Sequence, residues 1–213
     1  AAGHGIAGTY VGTGTQASGA AIFGDPDASV SFDGSTGYVI APSAPSLNTN
    51  QVSIELWLKK VTQTANGAYL SKNFTSGGGA GTGWFELMNN NSTGQLQFRV
   101  TGDTADVSLN SVTTLALATW YDVVATYDGT TAKIYINGAL DSSLSLTATP
   151  TQTSDPLYIG RRSDGYFNNA VLDEVAADVR VRCLRLGGIA RYPRLRRLAR
   201  GALLAPAVFF DLA

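Results

Sequence analysis

Residues 120–140 are the stretch that most constrains the fold of this chain. Two segments rich in β-branched and aromatic residues, 120–127 and 131–136, flank the pair Asp128-Gly129. Such residues favour strands, and glycine supplies the positive φ that a tight turn needs. Apolar side chains recur at every second position in both segments, as the buried face of a strand requires. The pattern predicts a β-hairpin, and Asn137-Gly138 predicts a second turn.

The hairpin motif also carries a family resemblance. Trp120-x-x-Val-x-x-Thr-Tyr-Asp-Gly followed by Ile-Tyr-Ile-Asn-Gly resembles the central hairpin of laminin-G-like and pentraxin-like jelly rolls, which belong to the concanavalin-A-like lectin/glucanase superfamily. Three stretches, 30–39, 52–58 and 157–175, agree with this resemblance in order and spacing. The resemblance implies an all-β fold: an antiparallel two-sheet jelly-roll sandwich over about residues 5–176. Short strands separated by many turns fit such a sandwich.

Charge divides the chain into two parts. Residues 1–175 contain 14 acidic and 7 basic residues, a balance of −7, whereas residues 176–213 contain two Asp and eight Arg, a balance of +6. An asymmetry of this size indicates separate segments. The sequence therefore predicts a jelly roll over 1–176 and an atypical Arg-rich C-terminal extension over 177–213. Translation of GC-rich DNA in another reading frame is an alternative origin for the composition of this extension.

Both ends of the predicted jelly roll depart from the resembled pattern. Residues 3–24 show little alternation and are predicted to be loop-like, and the first edge strand is predicted to be missing. In the extension, residues 194–204 fit a short amphipathic helix, and 207–210 form an apolar run. Because the body is acidic and the extension basic, we expect residues 177–213 to pack against a sandwich, either their own or a neighbour's.

Several functional classes find little support in the sequence. Cys183 is the only Cys and His4 the only His, so neither an intrachain disulfide nor a Cys/His zinc site is expected. No apolar run is long enough to span a bilayer. The Arg-rich extension has Tyr192 as its one interleaved aromatic residue, a weak pattern for nucleic acid. The sequence has no signal peptide and Met88 is its only Met, so we expect a processed, trimmed or partial chain.

Catalytic carboxylates are also not found in the expected pattern. The resemblance includes glycoside hydrolases, which place their acids at the spacing Glu-x-Asp-x-x-Glu on one strand. No such triplet occurs, and Asp173 and Glu174 are adjacent, which points them to opposite faces of a strand. Glu55 and Glu86 each stand alone in a predicted strand. We therefore expect no enzyme activity, with a glycoside hydrolase-like enzyme as a minor alternative.

The resemblance implies Ca²⁺ as a candidate cation. Asp164 falls where pentraxin-like domains carry a calcium-binding carboxylate, and Asn73 falls near their other ligand loop. Arg161 and Arg162 stand where acidic ligands are expected, and positive charge opposes Ca²⁺ binding. An ordinary solvated loop is the alternative for this rim, and no other cofactor is expected.

The same rim is the predicted ligand-binding site, because it combines aromatic side chains with planar hydrogen-bonding groups, the mixture that binds sugars. Its residues are Asn73, Phe74, Arg161, Arg162, Asp164, Tyr166, Phe167 and Asn168. In the alternative interpretation, Tyr166 and Phe167 only fix the loop to the sandwich.

These features lead to a functional expectation. The sequence predicts a non-enzymatic binding or adhesion module, extracellular, secreted or on a virion surface, that recognises a carbohydrate or surface glycoconjugate. The alternative is a structural or assembly subunit, such as a viral capsid decoration protein, a tail protein or a fibre subunit. A homo-oligomer or larger assembly is expected in either case, because the edge strands and the basic extension can act between chains.

Overall fold

The chain folds as two antiparallel β-sheets packed face to face in the computed structural model, which describes residues 6–13, 16–19, 21, 28–72, 84–91, 93–102, 106–150, 153–178 and 208–209. The strands, in chain order, are β1 Thr9–Val11, β2 Gln16–Ser18, β3 Ser29–Asp33, β4 Tyr38–Ala41, β5 Val52–Lys60, β6 Ala68–Lys72, β7 Phe85–Asn89, β8 Gln95–Thr101, β9 Asp106–Thr114, β10 Trp120–Tyr127, β11 Thr131–Ile136, β12 Ala139–Ser145, β13 Leu157–Ile159, β14 Asn169–Asp178 and β15 Val208–Phe209. One turn of 3-10 helix, Pro45–Leu47, is the only helical segment of the described residues.

The two sheets bring together strands that are far apart in sequence. The first sheet has seven strands in the order β1-β4-β13-β6-β7-β8-β9. The second has eight, with β12-β11-β10-β5-β14-β3-β2 in line and β15 beside β14. All-antiparallel sheets with such crossovers form the jelly-roll sandwich that the sequence predicts, and the prediction of fold class is confirmed.

The central hairpin forms as its sequence predicts. β10 pairs with β11 in unbroken register from Val123↔Ile136 to Tyr127↔Ala132. Oδ1 of Asp128 accepts the backbone N–H groups of Thr130 and Thr131 at 2.9 and 2.8 Å and thereby closes the turn. Asn137 and Gly138 have φ of 51° and 79°, the positive values that the second predicted turn requires. Local turn chemistry therefore sets the register of β10 with β11, whereas the pairing of β11 with β12 shifts register between Ile134 and Tyr135.

The core lies between the sheets and is built by alternation along each strand. In β5, Ile54, Leu56 and Leu58 are fully buried, while Glu55 and Trp57 point to the opposite face. This alternation is the predicted one and is confirmed. Burying one such aliphatic side chain contributes about 1.5–3 kcal/mol relative to leaving it exposed. The same alternation gives each sheet a second face, directed away from the core.

The N-terminal segment differs from its prediction. β1 forms one edge of the seven-stranded sheet through Thr9↔Ile40, and β2 forms one edge of the eight-stranded sheet through Gln16↔Ser31. The prediction that residues 3–24 are loop-like is therefore wrong at these two places. Each of these strands has only three residues, and its conformation depends on pairing with β4 or β3, so the local sequence gives little signal.

The C-terminal end of the jelly roll is β14, which runs to Asp178, two residues past the predicted boundary at 176. β15 pairs with it through Ala176↔Phe209 and Ala177↔Val208. Residues 179–207 and 210–213, with the predicted helix over 194–204 and Cys183, lie outside the described residues, as does His4. Three statements therefore stay predictions: the division of the chain into 1–176 and 177–213, the missing first edge strand, and the packing of the extension.

Candidate functional site

The candidate site lies on the outer face of the seven-stranded sheet, the face that points away from the core. Cross-strand pairing places its side chains in neighbouring positions, from β4 through β13, β6 and β7 to β8. The members of this outer face that concern the site are Tyr38, Ile40, Tyr158, Ser71, Glu86 and Arg99. Aromatic side chains therefore lie at one end of this row, and charged side chains at the other.

The loop 160–168 connects β13 to β14 and is fixed by its own backbone. The N–H of Gly160 donates to the carbonyl of Tyr69 at 2.9 Å, and the N–H of Asn168 donates to the carbonyl of Gly160 at 2.8 Å. Within the loop, the N–H of Arg162 donates to the carbonyl of Tyr166 at 3.2 Å. Both ends of the loop are thus held together, so its side chains are positioned before any ligand arrives.

Arg161 places its guanidinium among three aromatic rings. Its Cζ lies 4.6 Å from the ring centroid of Tyr38, 5.3 Å from that of Tyr158 and 5.0 Å from that of Phe167. These distances are in the range of cation–π attraction. The Tyr38 ring also meets Tyr158 at 6.0 Å and Phe167 at 6.1 Å between centroids. We call these three rings with Arg161 and Tyr166 the aromatic platform.

Tyr166 is the most open ring of the aromatic platform. Its residue is 38% exposed, and its ring centroid lies 4.5 Å from Cζ of Arg162, which is itself buried. Arg162 in turn holds Asp164 with two parallel hydrogen bonds, from Nε to Oδ1 at 3.0 Å and from Nη2 to Oδ2 at 2.7 Å. A bidentate pair of this kind fixes both side chains.

Beneath the loop lies a buried carboxylate. Glu86 has no exposed surface, and its Oε1 accepts a hydrogen bond from Nη1 of Arg99 at 3.1 Å. Its Oε2 lies 3.8 Å from Nε of Arg162. Burial raises the pKa of Glu86 to about 7, although the guanidinium groups of Arg162 and Arg99 oppose the shift. The charge of this cluster therefore changes near neutral pH.

Asn168 lies at the base of the loop and is buried. Its Nδ2 donates to the carbonyl of Gly67 at 2.8 Å. Next to it, the hydroxyl of Tyr69 donates to Oδ1 of Asn89 at 2.7 Å, and burial raises the pKa of Tyr69 far above its usual range. Contacts of this kind fix the loop to the sheet.

The structure brings most of the predicted site residues together. Arg161, Arg162, Asp164, Tyr166, Phe167 and Asn168 all belong to the 160–168 loop. Arg161, Tyr166 and Phe167 belong to the aromatic platform, whereas Arg162 and Asn168 are buried and support the loop. Asn73 and Phe74 lie outside the described residues. The use of these residues as a ligand-binding site stays a prediction.

Four side chains of the site are missed by the sequence prediction: Tyr38, Tyr158, Glu86 and Arg99. Tyr38 and Tyr158 alternate with the buried residues Val39 and Ile159, so the period of two was the available signal. That signal shows only that they point outward. Their meeting at Arg161 depends on the pairing of β4 with β13, which the local sequence does not specify.

The metal prediction involves Asp164, and both of its carboxylate oxygens are bonded to Arg162. Among the described residues, no three His, Cys, Asp or Glu side chains come together in a group that could hold a metal ion. Asn73, the second predicted ligand, lies outside them. Calcium at this rim stays a prediction, and a bound ion would compete with the Arg162 guanidinium for the oxygens of Asp164.

Comparison with known proteins gives one family match. A family model for the concanavalin A-like lectin/glucanases superfamily matches residues 33–181, more than half of the chain. No curated protein sequence matches the chain. In the part of the chain that the structure describes, no helix is long and apolar enough to cross a membrane.

Solved structures share the fold at low sequence identity. Domain 4 of AbnA, an extracellular GH43 arabinanase from Geobacillus stearothermophilus, in complex with arabinotriose, is 15% identical with a TM-score of 0.59, and the match covers 81% of this chain and 82% of that domain. The binding domain of botulinum neurotoxin DC in complex with SialylT is 15% identical with a TM-score of 0.58, over 81% of this chain and 42% of that one.

A second toxin shows the same partial coverage. Botulinum neurotoxin type C, whose cell entry depends on interaction with two ganglioside molecules, is 18% identical with a TM-score of 0.58. That match covers 84% of this chain and 44% of the toxin chain. This chain therefore spans less than half the length of the toxin chains, and the likeness concerns their fold.

Proposed function

Because this chain belongs to the concanavalin A-like lectin/glucanases superfamily, we propose that it is a non-enzymatic carbohydrate-binding module that acts outside the cell or on a particle surface. The observation that carries this proposal is the aromatic platform on the outer face of the seven-stranded sheet. The arabinotriose complex of AbnA domain 4 supports it, because the match covers most of that domain. Superfamily and fold alone do not determine function.

The chemistry of the platform suits a sugar ring. A pyranose or furanose ring presents C–H groups on one face, which pack against an aromatic ring, and hydroxyl groups at its edge, which need hydrogen-bonding partners. Tyr166 offers the exposed ring, and the guanidinium of Arg161, which lies against the ring of the next residue, Phe167, offers N–H donors. Because the loop is held by backbone hydrogen bonds and by the Arg162–Asp164 pair, little conformational entropy is lost on binding.

The carboxylates of the site support a binding role over hydrolysis. Glycoside hydrolysis uses two carboxyl groups that face the same glycosidic bond. Glu86 has no exposed surface, and Arg162 contacts both Glu86 and Asp164. Although the raised pKa of Glu86 resembles that of a general acid, a buried side chain cannot protonate a leaving group on the surface. We therefore assign Glu86 a role in supporting the loop.

A glycan array, run with Ca²⁺ and again with a chelator, tests the proposal. Tyr166→Ala removes the open ring of the platform, and Tyr10→Ala is its matched control, because these tyrosines are 38% and 41% exposed. We expect wild type and Tyr10→Ala to bind the same glycans and Tyr166→Ala to lose most of the signal. Silence of the wild type across the array contradicts the proposal. A signal that the chelator removes supports a requirement for calcium in binding.

A second candidate function, a structural or assembly subunit, is favoured by one observation. Val112 on β9 and Leu140 on β12 are 76% and 55% exposed, and they lie at edges of the two sheets. Oδ2 of Asp141 accepts the N–H of Val112 at 2.7 Å, which joins these edges. Exposed apolar side chains beside strand edges favour contacts between chains. If assembly is the function, the solution mass exceeds that of one chain without ligand, and Leu140→Asp with Val112→Asp reduces it.

A further inference from the structure

We infer that the candidate site selects sugars that carry an anionic group, a carboxylate or a sulfate ester, and that the Arg161 guanidinium binds this group. The inference rests on the proposed function, because it names the class of carbohydrate at the same site.

The first argument concerns the hydrogen bonds of Arg161. A guanidinium has five N–H donors. Nε of Arg161 donates to the carbonyl of Arg162 at 2.7 Å, and Nη2 donates to the carbonyl of Ser163 at 2.8 Å. The surrounding rings attract the cation through their faces but accept no conventional hydrogen bond. Arg161 is therefore held in one orientation by two of its donors. Among the described residues its other three N–H groups have no hydrogen-bond acceptor, so they can serve a ligand.

The second argument concerns charge. Within the described ranges, no carboxylate lies within 4.0 Å of the Arg161 guanidinium, since the ion pairs of the site join Arg99 and Arg162 to Glu86 and Asp164. Three guanidinium groups thus face two carboxylates, which leaves one positive charge even when both acids are ionised. That charge resides on the partly exposed Arg161, among the rings of the aromatic platform.

The third argument concerns specificity. Arginine pairs with planar or tetrahedral oxyanions through two parallel N–H···O bonds, and such charge-assisted bonds are stronger than those to a neutral hydroxyl. A neutral sugar that covers Arg161 displaces water from a cation and gives it no counter-charge, which costs free energy. An anionic sugar supplies that counter-charge. The same ring surface can therefore bind both classes but prefers the anionic one.

An array of matched pairs tests the inference. Each uronate or sulfated oligosaccharide is printed beside its neutral counterpart, and the strongest pair is then titrated in solution. We expect the anionic member to bind about tenfold to a hundredfold more tightly, as for hydrogen bonds to charged groups. Comparison of the uronate and sulfate pairs shows which anion is preferred. Equal affinity within pairs, or preference for the neutral member, overturns the inference and leaves the proposed function standing. Absence of any binding overturns both.

Variants at Arg161 test the assignment to that residue. Arg161→Gln should remove the preference within pairs, and Lys133→Gln, which removes one positive charge from the other sheet, should keep it. Arg161→Lys keeps a cation among the rings but loses the paired N–H donors, so its preference should be intermediate. Thermal unfolding of each variant verifies that it is folded. A preference that survives unchanged in both folded Arg161 variants overturns the assignment.

Discussion

Gly160 offers the sharpest prediction about how the site is built into the fold. It begins the 160–168 loop with a φ of +86°, a value that L residues adopt with strain. A Cβ at this position would lie 2.7 Å from Cε1 and 2.9 Å from Cγ of Phe32, and closer still to Cδ1. Phe32 is fully buried in the core and cannot move away freely. Gly160→Ala therefore combines backbone strain with overpacking.

The two contributions can be separated with a matched variant. Gly165, in the same loop, has a φ of +93°, and no heavy atom lies within 4 Å of the place that an added Cβ would occupy, so Gly165→Ala carries the strain alone. We expect Gly165→Ala to lower the free energy of unfolding by about 1–2 kcal/mol. Gly160→Ala should lower it by about 2–5 kcal/mol, because overpacking adds about 1–3 kcal/mol.

Urea denaturation of both variants measures these differences, and a double-mutant cycle identifies their source. Phe32→Leu replaces the aromatic ring that the new methyl group meets with a smaller aliphatic side chain. The cost of Gly160→Ala should therefore be smaller in the Phe32→Leu background than in wild type. Equal costs for Gly160→Ala and Gly165→Ala, with no coupling to Phe32, would refute the packing of this loop against the core.

Three further perturbations test other parts of the structure. Glu86 has a pKa of about 7 in the folded state against an ordinary 4.5, so the folded state binds an extra proton between these pH values. The stability of the wild type should therefore fall by about 3 kcal/mol relative to that of Glu86→Gln as pH rises from 4.5 to 7. A stability difference that stays constant with pH contradicts the burial of Glu86. Tyr127→Phe removes a buried hydroxyl that accepts the N–H of Ala148 at 2.7 Å, and a loss of about 1–3 kcal/mol in urea denaturation is expected, whereas no loss contradicts this bond. Truncation after Asp178 removes β15, Val208–Phe209, and should lower the melting temperature. An unchanged melting temperature together with an unchanged oligomeric state contradicts packing of the extension.

The sequence predicts the fold well where local signals and tertiary structure agree. The central hairpin has turn residues with positive φ, Gly129, Asn137 and Gly138, next to segments that alternate with period two. Each local preference supports the same register, which is the condition under which sequence patterns are informative. The three-residue strands β1 and β2 lack this support, because their pairing with distant strands decides their conformation.

The candidate site likewise combines residues that the local sequence predicts with residues that only the sheet order brings together. Its loop residues are close in sequence, and the mixture of Arg161, Tyr166 and Phe167 in one short segment predicts a polar aromatic surface. The rest of the platform comes from β4 and β13, and the ion pair of Glu86 with Arg99 joins β7 and β8. These side chains meet because of sheet order, which depends on packing across the whole sandwich. A local pattern contains no information about it.

The location of carbohydrate binding is the central claim, and mapping it by NMR is the most direct test. Amide chemical shifts of the 22.2 kDa chain are followed while the strongest array ligand is added. We predict that the perturbed amides cluster at residues 158–168 and around Tyr38, on the outer face of the seven-stranded sheet. Perturbation centred instead on Trp57 and Trp120, which lie on the outer face of the eight-stranded sheet, would contradict the account.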